Sequence, residues 1–229
     1  MDSRTFGRVT LTLPCLDEPG RYLSNIPSLD SGRGIVQDFR YSDADLRSLN
    51  LMETQLISGK ITGLRAARVH LNEVKLHSVE FDGCDLASAT WRNSKLSRVV
   101  FRNCKIMGAS LTGLTMDDVL VENCRLDYST LEKLRATGPV VFSRCVFTEA
   151  SLTDCDLTAA VLDDCTLRLT DFGKGRYGKL DLRGNDLSSV RGVAQLAKVI
   201  IDRSQEHDLL AALLAELEVT YGDDLDAPR

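Results

Sequence analysis

Apolar side chains recur at every fifth position along most of the chain: Leu46, Leu51, Leu56, Ile61, then Leu71, Leu76, Phe81, Leu86, Trp91, Leu96, Phe101, Ile106, Leu111, Met116, Val121, Leu126 and Leu131. After one added residue the frame resumes at Phe142, Phe147, Leu152, Leu157, Leu162, Leu167, Phe172, Tyr177, Leu182 and Leu187. Neither the 3.6-residue turn of an α-helix nor the two-residue period of a strand keeps such a series on one face. A repeat architecture is therefore implied before any other fold. The position two before each central residue is mostly small, as at Ala44, Cys84, Ala89, Cys104, Ala109, Cys124, Cys145, Ala150, Cys155, Ala160 and Cys165.

A second period lies on top of the first. Cys84, Cys104 and Cys124 are twenty residues apart and, after the added residue, Cys145 and Cys165 continue the series. Phe81, Phe101, Val121 and Phe142 do the same. The second spacing is thus four units of the first. The extra residue falls at Gly138-Pro139 and predicts a local bulge. The five-residue frame spans residues 35–190.

The units CDLAS, ATWRN, CKIMG, ASLTG, CRLDY, ASLTD and CDLTA resemble the pentapeptide-repeat family, whose unit is roughly A(D/N)Lxx. Leu49, Leu64, Val69, Val74, Val79 and Leu114 at the small position and Ala66 at a central one depart from that unit. The resemblance implies an all-β solenoid, a right-handed quadrilateral β-helix of four five-residue sides per coil, here with a short C-terminal α-helical cap; on that geometry residues twenty apart stack at about 4.8 Å, and about eight coils make a rod on the order of 37 Å long. It also implies a non-enzymatic scaffold that binds a protein through a rigid face. An alternative implied role is a duplex-DNA mimic that occupies DNA gyrase or another topoisomerase and protects it from poisons, in some members as a dimer through a C-terminal helix.

The flanks differ from the repeat. Residues 1–34 form an irregular N-terminal segment in which Val9 to Leu13 alternates as a strand, while Pro19-Gly20, Pro27, Gly32 and Gly34 mark loops. Residues 191–221 form a C-terminal cap, with a short strand at Lys198 to Ile201, Ser204 as helix N-cap and a helix from about Gln205 to Leu217. In that helix Leu210, Leu213, Leu214 and Leu217 share one face, which either plugs the last coil or pairs with a second copy. Residues 222–229 are expected to be a tail.

The formal net charge of −5 argues against a nucleic-acid binder. The opening MDSRTFGRVT has no apolar leader core, and no apolar run reaches membrane-spanning length, so a cytoplasmic protein without membrane contact is expected. Seven cysteines, an odd number with no CxxC pair, argue against a disulfide scaffold. Charge is uneven along the rod. Arg47 to Lys105 holds ten basic and five acidic residues, whereas Ile106 to Ser189 holds nine basic and thirteen acidic ones. Asp117, Asp118, Glu122, Asp154, Asp156, Asp163 and Asp164 would supply the acidic mimic surface.

No catalytic residue, metal site or cofactor is expected. A column of inward thiols is not a tetrahedron, and Gly173, Gly175 and Gly178 match GxGxxG without the helix that a dinucleotide site needs. His70, His77 and His207 have no triad partners in register. Lys75, Lys95, Arg65, Lys105 and Arg125 make only short basic rows, without exposed aromatics between them. The outward positions of the phenylalanine side carry more information. Asp82, Arg102 and Glu122 would form a ladder of alternating sign, and Val100, Leu120, Val141 and Val161 an apolar stripe. Such a stripe is either a protein interface or is covered by the N-terminal strand Val9 to Leu13.

Overall fold

A corner every five residues is what turns the repeat into a square. Two positions after most central residues the backbone takes a left-handed φ: 50° at Asn93, 53° at Asn103, 52° at Asp118, 52° at Asn123 and 53° at Asp154. Asn and Asp bear this conformation at the lowest cost among residues with a Cβ. Between corners the chain is extended, so the central residue and the one two before it both point inward and are buried.

The computed structural model describes residues 2–16, 20, 22–30 and 34–222. It is a parallel β-solenoid of about seven turns, ending in one short helix, α1 (Glu206–Glu216). Pro19 and Gly32, read above as loop markers, and residues 223–229 of the expected tail lie outside the described residues. Successive coils pair in parallel at an offset of twenty residues, as in Lys75↔Lys95 and Phe81↔Phe101. The Phe81 and Phe101 rings stack with centroids 4.8 Å apart, the spacing of the strands that carry them. The first side of the square is centred on Leu56, Leu76, Leu96 and Met116, and the second on Ile61, Phe81, Phe101, Val121 and Phe142. A third carries Leu86, Ile106, Leu126 and Phe147, and a fourth Leu71, Trp91, Leu111, Leu131 and Leu152.

The added residue behaves as the frame predicts. Thr115↔Arg135 pairs at an offset of twenty, but Val119↔Val140 pairs at twenty-one. The strand Thr115–Glu122 thus faces two short strands, Arg135–Ala136 and Val140–Ser143, with Gly138-Pro139 looped out between them. A Cβ on Gly138 would lie 1.8 Å from Asp117 Oδ1, so glycine suits the bulge.

Both ends of the interior are closed. At the N-terminal end the Phe39 ring lies over Gly59, where a Cβ would come within 2.0 Å of it. The cysteine column ends at the other end in amides. Asn185 Oδ1 accepts from the Cys165 N–H at 2.7 Å, and its Nδ2 donates to the carbonyls of Leu162 and Leu182 at 2.8 Å. One coil on, Gln205 Nε2 donates to the carbonyls of Leu182 and Asn185.

The cap differs in detail from the sequence reading. Asp202, not Ser204, caps the helical segment: Gln205 Oε1 accepts from the Asp202 N–H at 2.6 Å in a reciprocal capping box. A 3₁₀ turn (Arg203–Gln205) then leads into α1. The expected strand at Lys198 to Ile201 is a single bridge, Asp181↔Ile200.

Candidate interaction surfaces

The apolar stripe of the second side is filled from within the chain. Strands β1 (Asp2–Phe6) and β2 (Val9–Leu13) form an antiparallel hairpin. Its alternation places Phe6, Leu11 and Leu13 on one face, and these pack on Val100, Leu120, Val141 and Val161 as a cluster separate from the solenoid core. Leu11, Leu120 and Val141 are fully buried. The interface reading of this stripe therefore gives way to cover by the hairpin. The sequence missed β1, because Asp2 to Phe6 has no apolar alternation of its own, and its signal was the stripe that needed covering.

Charged groups pin the hairpin down. The Arg4 guanidinium reaches Glu122 and also lies over the Phe6 ring, 4.5 Å from its centroid. Asp118 Oδ1 accepts from the Thr12 N–H at 2.9 Å. Glu122 also meets Arg102 at 3.4 Å and Arg144 at 2.7 Å. The expected ladder of Asp82, Arg102 and Glu122 is corrected in one member: Arg102 bridges Glu80 and Glu122, while Asp82 accepts from Asn103. Glu80 and Asp82 are adjacent on the strand, and Glu80 is the carboxylate within reach of Arg102.

Burial by itself would raise the Glu122 pKa, but Arg4 and Arg144 outweigh it and hold the carboxyl below the usual glutamate range. A folded-state pKa below the unfolded one contributes stability above the unfolded value and loses it as pH falls through the folded value. Acidification from about pH 5 toward about pH 3 is therefore expected to loosen the hairpin first. Glu122→Gln should flatten that dependence, read as amide-exchange protection of Arg4 to Leu13 against pH. An unchanged acid profile in the variant would assign the loss to other groups.

The acidic set does not gather. Asp117, Asp154 and Asp164 are exposed but sit on different sides of the square. Asp118 and Asp163 are half-buried and accept hydrogen bonds from Thr12 and Ser143. Asp156 bonds Thr158 and Arg176, and Glu122 is buried among arginines. Adjacency in sequence does not become adjacency in space when a corner separates every five residues. The basic row of the third side is likewise interrupted, with Asp85 between Arg65 and Lys105 and Asp127 held by Arg125.

The thiols are packing groups. Cys104 Sγ donates to the Arg102 carbonyl at 3.1 Å and Cys145 Sγ to the Val121 carbonyl at 3.3 Å. Contact with the Cys124 thiol pushes Cys104 up to about 12, and burial pushes Cys155 up to about 11, so both stay protonated and unreactive at neutral pH. Among the described residues no group of three or more His, Cys, Asp or Glu could hold a metal. Gly173 and Gly175 belong to the solenoid, where the buried Tyr177 hydroxyl donates to the Gly173 carbonyl at 3.0 Å. His77 meets the Arg98 guanidinium, and burial, then that charge, lower its pKa. No described helix is long and apolar enough to cross a membrane.

Helix α1 is turned relative to the face read from the sequence. Ala212 is buried and Leu209 and Leu213 pack on the core, while Glu216 accepts from the Val193 N–H at 2.8 Å. Leu213 is thus the one expected face residue that plugs the last coil. Leu214 is half-buried, Leu210 and Leu217 are 49% and 63% exposed, and Val219 and Tyr221 are exposed beside them. Two anchors fix this rotation, Gln205 at the start and Glu216 at the end. The chain beyond α1 folds back along it, so that His207, Leu210, Ala211, Leu214, Ala215, Val219 and Tyr221 line an apolar groove.

Residues 75–113 and 140–174 match the model of pentapeptide repeats, in eight copies. No curated protein matches the chain. Among solved structures, a trypsin-treated form of QnrB1, a plasmid-mediated fluoroquinolone resistance protein, aligns with 18% identity over 86% of this chain and 95% of its own, at a TM-score of 0.44. Full-length QnrB1 gives 16% identity over 78% and 89% of the two chains and a TM-score of 0.34. HetL, a pentapeptide-repeat protein involved in heterocyst differentiation regulation from the cyanobacterium Nostoc sp. strain PCC 7120, gives 17% over 76% and 89%, at 0.21. The repeat match, the five-residue corners and the twenty-residue register together show that the chain carries pentapeptide repeats.

Proposed function

We propose that this protein is a non-catalytic β-helical scaffold that self-associates through the outer face of α1 and presents the rigid solenoid to a protein partner. The observation that carries this reading is the exposed apolar set Leu210, Leu217, Val219 and Tyr221, clustered at one end of a rod whose other large apolar stripe is already covered. Contiguous exposed apolar surface of this kind marks an interface. A second copy is the occupant this reading commits to, since an apolar helix face can meet its own copy about a two-fold axis, the commonest symmetry of soluble oligomers.

Duplex-DNA mimicry of gyrase is the weaker reading. It needs a continuous acidic face to meet a groove built for phosphates, and the candidate acids here are divided among sides or bound by arginine.

Light scattering with sedimentation tests the main reading. The wild-type protein is expected to run as a dimer, and Leu210→Glu with Leu217→Glu to run as a monomer of unchanged strand content. Both substituted side chains point away from the last coil, so the fold should survive. A wild-type monomer at high micromolar concentration would rule self-association out.

A further inference from the structure

The acidic half of the rod contains a basic groove, formed where the turn of the N-terminal hairpin meets the last coils. Arg8 and Val9 form one wall, Ala159 and Lys179 the other, and Val161, Asp181 and Ile200 the floor, enclosing about 360 Å³. The floor residues are bridge partners on three successive coils, Val161↔Asp181↔Ile200, so the floor runs along the rod for roughly 10 Å. Ala159, Lys179 and Lys198 are stacked corner residues with φ of 61°, 62° and 62°. The Lys179 N–H donates to the Lys198 carbonyl at 2.8 Å, so Lys198 is the next residue of the same corner column, one coil beyond the groove lining.

The charges in this groove do not cancel. Among the described residues lining it Asp181 is the one carboxylate, and Arg183 already holds both its oxygens, at 2.9 and 2.6 Å. Arg8 feels Asp181 only at longer range. Arg8, Lys179 and Lys198 make no ion pair among the described residues. Arg8 and Lys179 thus flank a floor that is otherwise aliphatic, with Lys198 next along the lysine column, in a chain of net charge −5.

We infer that this groove docks an extended acidic segment of a partner protein, one in which carboxylates alternate with aliphatic side chains. Alternation is the natural match, because an extended strand sends successive side chains to opposite sides. One set can lie on Val9, Val161 and Ile200 while the other reaches Arg8 and the lysine column. The floor accommodates three or four extended residues. A phosphate backbone would meet the cations but leave the aliphatic floor unused. The site is separate from the α1 face, so its test does not depend on self-association.

The probe is a fluorescein-labelled peptide alternating aspartate and leucine, followed by anisotropy with the full chain. A lysine–leucine peptide and a single-stranded oligonucleotide serve as controls. Saturable binding of the acidic peptide is expected, weakening as salt is raised. The Lys179→Glu and Lys198→Glu double variant leaves the hairpin untouched and should bind at least ~10-fold more weakly. Arg8→Glu should act in the same direction, whereas Lys179→Arg should retain binding. No binding up to about 1 mM would overturn the inference. So would oligonucleotide binding of equal strength, or peptide binding indifferent to the lysine double variant.

Discussion

Asn185→Leu is expected to destabilise the C-terminal end of the solenoid by about 3 kcal/mol, although the two side chains are nearly equal in volume. The Asn185 amide meets four backbone groups at once, the Cys165 N–H and the Leu162, Leu182 and Arg183 carbonyls. A leucine would leave the Cys165 N–H and the Leu162 carbonyl buried without this partner, each at a cost of about 1–3 kcal/mol before local relaxation, whereas the Leu182 carbonyl keeps Gln205. Thiols do the same job further down the column, but their weak hydrogen bonds suffice only between two coils that cover each other. The last coil has a neighbour on one side only, so a stronger donor and acceptor is needed there, and Gln205 completes it. Stability in a stacked repeat is local, so the loss should appear first as faster amide exchange from Leu162 to Leu187, then as an earlier first phase in urea unfolding. Exchange rates identical to wild type in that region would sink the amide-plug account.

Leu120→Asp is expected to lift the N-terminal hairpin off the rod while leaving the solenoid folded. Leu120 is fully buried at the centre of the cluster made with Phe6, Leu11, Leu13, Val100, Val141 and Val161. A carboxylate there would be buried and unpaired, costing on the order of 3–5 kcal/mol unless the hairpin leaves. An isolated two-stranded hairpin is marginal in water, so once released it should unfold rather than redock. The main core is a separate cluster and does not depend on it. The expected signature is rapid proteolysis between Asp2 and Leu13, binding of a hydrophobic dye to the uncovered stripe, and an unchanged strand signal in circular dichroism. Leu11→Ala should give a weaker form of the same result, at about 2–4 kcal/mol. Retained protection of the Arg4 to Leu13 amides in Leu120→Asp would show that Arg4, Glu122, Thr12 and Asp118 hold the hairpin without its apolar face.

The sequence made the interior legible because the interior is one-dimensional. Each inward residue meets the residues twenty before and after it, so the Cys84–Cys165 and Phe81–Phe142 columns could be read off without coordinates. The added residue was legible for the same reason, since a shift from twenty to twenty-one is a count. The surface was not. Glu122 reads as an exposed acid from its position in the five-residue unit, yet it is buried because Arg4, 118 residues away in sequence, folds over it. The direction in which the α1 face points was not legible for a related reason. Leu210, Leu213, Leu214 and Leu217 form a good apolar stripe by spacing, but Gln205 and Glu216 set the rotation and bring Leu209 and Ala212 inward instead.

By itself the sequence determined the class of fold, the four-sided coil, the register of its columns and the place of the bulge. All of these follow from a short period, a left-handed corner that Asn, Asp and Gly favour, and burial of the central residues. Tertiary structure alone decided which outward residues remain outward. It placed the hairpin over the Val100–Val161 stripe, neutralised Glu122, turned Leu210 and Leu217 to solvent, and brought Arg8 opposite Lys179. The physical reason is the range of the contacts. The repeat is specified by neighbours twenty residues apart, whereas every surface feature depends on a terminal segment packing against coils more than a hundred residues away in the chain or on two anchoring hydrogen bonds that no periodicity encodes.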